Sequence, residues 1–346
     1  MNILDHALKS LMLPRLQKTW GESKFDYKIT TLPTGPHVDL YARYPETPHH
    51  QRLLTQGIPA TVTWHTTIQP HTVQSPLKPH PGIYNIIAVA SGKGGVGKST
   101  VAVNVAASLA ALGLQVGLLD ADIYGPSQPT LLGGPTKALI SPDKKIIPLQ
   151  RHGLSAVSIG YLIDDNAPLV WRGPMVSGAL CQLLNDTLWP PLDYLIIDLP
   201  PGTGDVQLTL AQKIPLAGVV MVTLPNDISY VDVEKGLKMF QKVGVRVLGV
   251  MENMSTHTCT ACGHTENLFG QGAGHTLANT FQLPLLAEFP FHTPLITDSE
   301  QGVPWVVANP THPLSVAFQE AAINLTAQLA LQGVDYSAKM PKVVLC

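Results

Sequence analysis

The chain has no run of about 18 uninterrupted apolar residues, the length a helix needs to cross a bilayer, so no membrane span is expected. Its start, Met1-Asn2-Ile3-Leu4-Asp5-His6, lacks the basic-then-apolar order of a secretory signal. Net charge is also lacking: 22 Lys and Arg stand against 24 Asp and Glu, leaving −2. That gives no broad basic surface for nucleic acid. Cysteine is scarce, four in 346 residues, which excludes a disulfide scaffold. There is no internal repeat. These absences predict a cytoplasmic protein with neither a membrane nor a nucleic-acid partner. What is present is 45% hydrophobic residues, ample for a core, in a length that suits one large α/β domain plus an extension, or two to three domains.

The most informative run is Ser91-Gly92-Lys93-Gly94-Gly95-Val96-Gly97-Lys98-Ser99-Thr100. It fits the phosphate-binding pattern G-x-x-x-x-G-K-[ST], with Gly92, Gly97, Lys98 and Ser99 in the fixed places. Glycines let successive backbone N–H groups turn inward to form an anion site. The following helix points its positive end at the phosphates. Lys98 supplies a point charge for the outer phosphates, and the Ser99 hydroxyl suits Mg²⁺. The run Ile86–Ala90 reads as a buried strand entering the loop, and Thr100–Leu112 as the helix leaving it, stopped by Gly113.

From Tyr84 onward, strand-like and helix-like segments alternate. The strand candidates are Asn85–Ala90, Gln115–Asp120, Leu154–Ile159, Tyr194–Leu199, Gly218–Thr223, Val245–Val250 and Pro284–Phe289. This predicts an α/β domain with a mainly parallel, doubly wound sheet. Phe318, Ala321, Ala322, Leu325 and Leu329 line one face of a last helix. Ahead of this lies a small α+β extension. Ile3, Leu4, Ala7, Leu8, Leu11 and Met12 recur at helical spacing, and two β-like pieces follow around Val38–Tyr44 and Ala60–Ile68. Pro70, Pro76, Pro79 and Pro81 mark a linker. The expected division is 1–69 for the extension, 70–83 for the linker, 84–335 for the nucleotide domain and 336–346 for a tail.

An ATPase loop needs acidic groups for Mg²⁺ and water. Asp120 and Asp122 close the second strand, and Asp198 closes Tyr194–Asp198. Ligands in open α/β sheets gather at such carboxyl ends. Leu199-Pro200-Pro201-Gly202-Thr203-Gly204-Asp205 then suits a switch that senses the terminal phosphate. A second lysine, Lys93, is not needed to bind phosphate within one chain. It reads as a finger reaching a nucleotide on a neighbouring chain, which implies a dimer.

At this point a resemblance becomes specific. Lys93–Ser99 resembles the deviant phosphate loop of the MinD/ParA/nitrogenase-iron-protein class. Within that class, Asp120–Ser127, Trp171–Leu180, Asp193–Asp205, and Glu252-Asn253-Met254-Ser255 followed by Cys259-Thr260-Ala261-Cys262-Gly263 are similar to the Mrp/ApbC group of iron–sulfur cluster carrier ATPases. The similarity spans Tyr84 to Leu331 in the family's order. It implies that Gly92, Lys93, Gly94, Gly95, Val96, Gly97, Lys98, Ser99 and Thr100 bind ATP, and that Asn253 contacts adenine. It implies Lys93, Lys98, Asp122 and Asp198 as catalytic, with Asp122 positioning water. Ser99 and Asp198 would hold Mg²⁺. The fold it implies is that of a deviant P-loop NTPase.

Cys259 and Cys262 form a two-thiolate bite within a metal loop placed at 254–270. Neither zinc nor a four-iron cluster is complete with two sulfurs. His257 and His264 would complete a zinc knuckle in one subunit. The same cysteines of a second subunit would complete a Cys₄ site across a two-fold axis. A dithiol redox pair is the third reading. The resemblance implies the second: a 4Fe-4S cluster bridging a homodimer, passed to apo iron–sulfur proteins, with assembly scaffolds as further partners. Cys181 reads as a small core residue. His49, His50, His65, His71 and His80 lack ligand spacing and read as solvated loop residues. Residues 1–80 have about the length of the family's small N-terminal domain but contain no cysteine and lack its motif, so a diverged or shortened version is expected there. The competing functions are a positioning ATPase of the MinD/ParA kind, which needs a basic amphipathic C-terminal helix, a zinc-knuckle ATPase, and an electron-transferring reductase.

Overall fold

A computed structural model describes residues 2–133, 137–162 and 173–336. The chain divides into two compact units, Met1–Thr72 with Thr326–Cys346, and Val73–Leu325.

The larger unit is built on a nine-stranded sheet. Across it run Leu149–Arg151, Leu154–Ser158, Val116–Asp120, Leu192–Asp198, Ile83–Ser91, Gly218–Thr223, Val247–Thr258 and Thr265–Glu266, with Leu285–Phe291 also paired to Val247–Thr258. The first and the Thr265–Glu266 strands are antiparallel and the rest parallel. The inner strands read as unbroken apolar runs because both faces are buried: every residue of Val116–Asp120 and of Gly218–Thr223 is buried. This is the mainly parallel α/β architecture that the alternation predicts.

Register places the acids. Asp198 pairs with Asp120 on the neighbouring strand, and Asp120 pairs with Ser158 on the next. Three polar side chains thus stand in one row at the carboxyl edge. The helix Lys98–Ala111 leaves the central strand Ile83–Ser91 and buries Val101 to Leu109. Gly113 follows it with φ +86°, the left-handed stop a glycine tolerates.

The smaller unit holds the helix Asn2–Lys9 and a three-stranded sheet. Asp26–Leu32 pairs antiparallel with Gly35–Ala42, which pairs parallel with Thr61–Thr66. Val38, Leu40 and Ala42 alternate inward, and Trp20 meets Phe25 and Trp64 edge-on, each at 5.5 Å. The strand Asp26–Leu32 escaped sequence reading because its Asp-Tyr-Lys-Ile-Thr-Thr-Leu pattern is half-exposed and polar.

The units part at places other than those expected. Residues 73–83 belong to the nucleotide unit rather than to a free linker. Gln74 is buried and its amide donates to the carbonyls of Ala211 and Ile214 and accepts from Leu216 N. At the other end, Thr326 onward joins the small unit through Thr72 N to Gly333 O and Asp335 N to Pro70 O. The periodicity of the helix Pro313–Ala330 is continuous, so it carries no mark of that division. The histidines also differ from expectation. His71 is buried, His65 lies on a strand, and His49 and His50 lie on the helix Pro48–Thr55. Cys181 is half-buried rather than fully in the core, and burial pushes its thiol up.

Candidate functional site

The phosphate loop joins the strand Ile83–Ser91 to the helix Lys98–Ala111. Gly95 and Gly97 take φ +81° and +79°, a region where a side chain is strained. Gly97 is the helix N-cap and offers no side-chain bond to the first turn, so those N–H groups are left for an anion. A Cβ on Gly92 would come within 2.5 Å of the Asp232 carbonyl carbon. Only glycine lets the loop pass the helix Asp227–Lys242 that closely.

A cavity of about 290 Å³ opens over this loop, lined by Ser91, Lys93, Gly94, Gly95, Gly97, Lys98, Ser99, Thr100, Asp122, Ser127, Leu131 and Pro201. Within the loop, Lys93 is half-buried and its backbone carbonyl accepts from the Ser91 hydroxyl at 2.8 Å. Another pocket, against Tyr161 and about 240 Å³, is lined chiefly by apolar side chains and shares none of the loop residues.

Beneath the cavity sits a buried polar network. The Lys98 ammonium donates to Asp198 Oδ1. The Gln128 side chain donates to Asp198 Oδ2 at 2.9 Å and to the Ser99 carbonyl at 3.0 Å. Asp120 accepts from the backbone N–H of Asp122 and of Gln128, both at 3.1 Å, and from the Ser158 hydroxyl at 3.0 Å. Burial, then the charge of Asp198, pushes the Asp120 carboxyl up to about 7. Burial likewise raises Asp122, with Lys98 opposing and Asp198 adding. The structure thus brings the loop, Lys98, Ser99, Asp122 and Asp198 together. Asp120 lies one layer deeper. Ser99 and Asp198 offer hydroxyl and carboxylate oxygens, the hard donors Mg²⁺ takes. They fit that ion.

Two participants escaped the sequence reading. Ser158 ends a strand that was legible, and its pairing to Asp120 was the available clue. Gln128 sits in the five-residue helix Gln128–Leu132, and no spacing rule singles it out.

Asn253 approaches the loop from behind, donating to the Val96 carbonyl at 2.9 Å. It lines a smaller cavity of about 70 Å³ with Gly97, Thr100, Phe289, Phe291, His292 and Phe318 among the walls. Its strand runs on to Thr258, well past the expected end at Val250, and then pairs back: His257 opposes Glu266 and Thr258 opposes Thr265. The cysteine pair therefore occupies a hairpin tip rather than an open loop. Cys259 N donates to His264 O at 2.9 Å, and Gly263 N to Cys259 O at 2.8 Å. Backbone N–H groups of Cys262 and Ala261, then the Cys262 thiol, hold Cys259 below the usual thiol range. Cys262 is exposed.

Among the described residues no group of three or more His, Cys, Asp or Glu side chains is placed to hold a metal ion. His257 Nδ1 lies 3.5 Å from Glu266 Oε1. No helix among those residues is long and apolar enough to cross a membrane. Trp171, Arg172 and residues 337–346 lie outside the described residues, and with them the C-terminal segment a positioning ATPase would use.

Comparison with known proteins agrees with this geometry. A family model described as ParA, NUBPL iron-transfer P-loop NTPase, matches residues 82–326. An iron–sulfur cluster carrier protein of Pseudomonas fragi is 50% identical over 266 residues, 76% of this chain and 93% of that protein. The iron–sulfur cluster transfer protein NUBPL of Mus musculus is 44% identical over 254 residues, 73% of this chain and 80% of that protein. Among solved structures, a nucleotide-binding protein from Archaeoglobus fulgidus in complex with ADP superposes with a TM-score of 0.57 at 38% identity, over 64% of this chain and 87% of that one.

Proposed function

The chain belongs to the NUBPL-type iron-transfer P-loop NTPases, and from that premise we propose that two copies hold one iron–sulfur cluster between their Cys259 and Cys262 thiolates and use ATP to deliver it. The chain is an ATPase and an iron–sulfur cluster carrier. The cluster is cargo, passed to apo iron–sulfur proteins in the cytoplasm after loading from an assembly scaffold.

The observation that carries the reading is the hairpin tip. It presents two thiols in one short turn, with the Cys259 thiolate favoured by backbone N–H groups and no third ligand placed beside them among the described residues. A half-site of that kind suits thiolate-only iron–sulfur ligation, completed by a symmetry mate. It also suits release, since separating the copies dismantles the site.

The phosphates of ATP rest on the loop N–H groups and Lys98. Ser99 and Asp198 would hold Mg²⁺, which would neutralise charge on the outer phosphates. Asp122 lines the same cavity and orients the attacking water. Lys93 reaches the phosphates of the second copy. Asn253 stands beside the adenine. Lys98 is bonded to Asp198, so turning it toward a phosphate remakes the buried network. The loop Asp198–Asp205 feels that change directly.

Anaerobic reconstitution with iron and sulfide tests the proposal. The expected product is a brown dimer by native mass, with colourless protein from Cys259→Ala and from Cys262→Ala. A monomer carrying zinc would overturn it.

A further inference from the structure

We propose that Gln128 is the positioning residue for Asp198, holding that carboxylate in place when Lys98 turns to the phosphates. The inference rests on the reading of Ser99 and Asp198 as the Mg²⁺ site.

Asp198 is fully buried, and Gln128 is 1% exposed. Among the described residues, two side chains hydrogen-bond the carboxylate: Lys98 on Oδ1 and Gln128 on Oδ2. Lys98 also lines the cavity over the loop, and an ammonium that swings toward a phosphate there gives up its bond to Asp198. Asp198 then stands beside the paired Asp120 across the register, which offers it no cation. A buried carboxylate stripped of one donor depends on the other. Gln128 is that donor, and its second amide hydrogen is fixed on the Ser99 carbonyl at 3.0 Å. One amide therefore clamps both residues that would hold the ion. Its backbone N–H ties Asp120 as well, at 3.1 Å. The other end of the amide, Oε1, is buried and has no hydrogen-bond partner among the described residues.

The test is the affinity of the full chain for a fluorescent, non-hydrolysable ATP analogue, measured with Mg²⁺ and again with EDTA. Wild type should bind more tightly with Mg²⁺. Gln128→Met keeps the side-chain length and removes the amide. It should weaken the Mg²⁺ arm about 10- to 100-fold, the range for a bond to a charged group, and leave the EDTA arm within about 2-fold. Gln128→Glu, similar in shape but bringing a carboxylate to Asp198, should lose at least as much in the Mg²⁺ arm. Retained Mg²⁺ enhancement in both variants overturns the inference alone. An equal fall in both arms makes Gln128 a packing residue and also overturns it, as does loss of the fold in both variants by circular dichroism. Absence of Mg²⁺ enhancement in wild type overturns the Mg²⁺ site itself, and this inference with it.

Discussion

Replacing Lys98 by Met should damage the fold as well as the chemistry, and by a calculable amount. Lys98 is paired to Asp198, and their side chains are 6% and 0% exposed. Removing one partner of a buried pair leaves an uncompensated charge, at about 3–5 kcal/mol. For a unit of this size each kcal/mol moves the melting temperature by about 2–4 °C. The nucleotide-free Lys98→Met protein should therefore melt about 6–20 °C lower. The opposite truncation should cost less. In Asp198→Asn the stranded group is Lys98, which lines the open cavity and can turn to water. The double variant Lys98→Met/Asp198→Asn should recover much of the loss, because no buried charge is left alone. Circular dichroism melts of the three variants without nucleotide decide the matter. A Lys98→Met transition within about 2 °C of wild type, or a double variant no better than the single, would refute the argument that this lysine is held by a buried charge.

Three further outcomes are expected. Asp120 titrates at about 7 in the fold against an ordinary 3.8; the native state then holds the extra proton, so stability should fall as pH rises from about 4 to about 7 and level off above. Urea midpoints of nucleotide-free Asp120→Asn should lack that fall, and parallel profiles for the two proteins would count against it. The Cys259 thiol, held low by neighbouring N–H groups, should react with iodoacetamide at lower pH than Cys181, whose thiol burial pushes up; peptide mass spectrometry of the anaerobic apoprotein reads both, and the reverse order contradicts the hairpin geometry. In the small unit, Arg15 meets Glu46 at 2.6 and 2.9 Å with both nearly buried, so Arg15→Met should cost about 3–5 kcal/mol and speed hydrogen exchange in Gly35–Ala42, an effect whose absence would show the pair to be dispensable.

The parts of this protein that were legible in the sequence are those where local chemistry and local structure coincide. The phosphate loop is one continuous run, and its glycines sit where the backbone turns left-handed or nears a neighbour. The buried parallel strands announce themselves because both faces want apolar side chains. The strand Asp26–Leu32, the stretch of Val247–Thr258 beyond Val250 and the short strand Thr265–Glu266 do not, since their pairing comes from a partner rather than from their own pattern. The same limit hid Gln128. Its role depends on a carboxylate 70 positions away in the chain, and glutamine at such a place looks like any solvated polar residue. Asp120 and Asp198 were each visible as strand ends. Their conflict was not, because it arises from register between two strands.

That register effect extends to how the two chemistries are joined. Asn253 bonds the phosphate loop, and Cys259 opens the thiol hairpin, on or just beyond one strand, Val247–Thr258. Six residues of regular strand span at most roughly 20 Å, so the two sites are linked by one short element. The strand is not uniform between them. Met254 takes φ +56°, and pairing with Leu285–Phe291 slips between Asn253 and His257. Such irregularities bend a strand and re-aim the residues beyond the bend. The irregular stretch lies between the bond from Asn253 to the Val96 carbonyl and the cysteines.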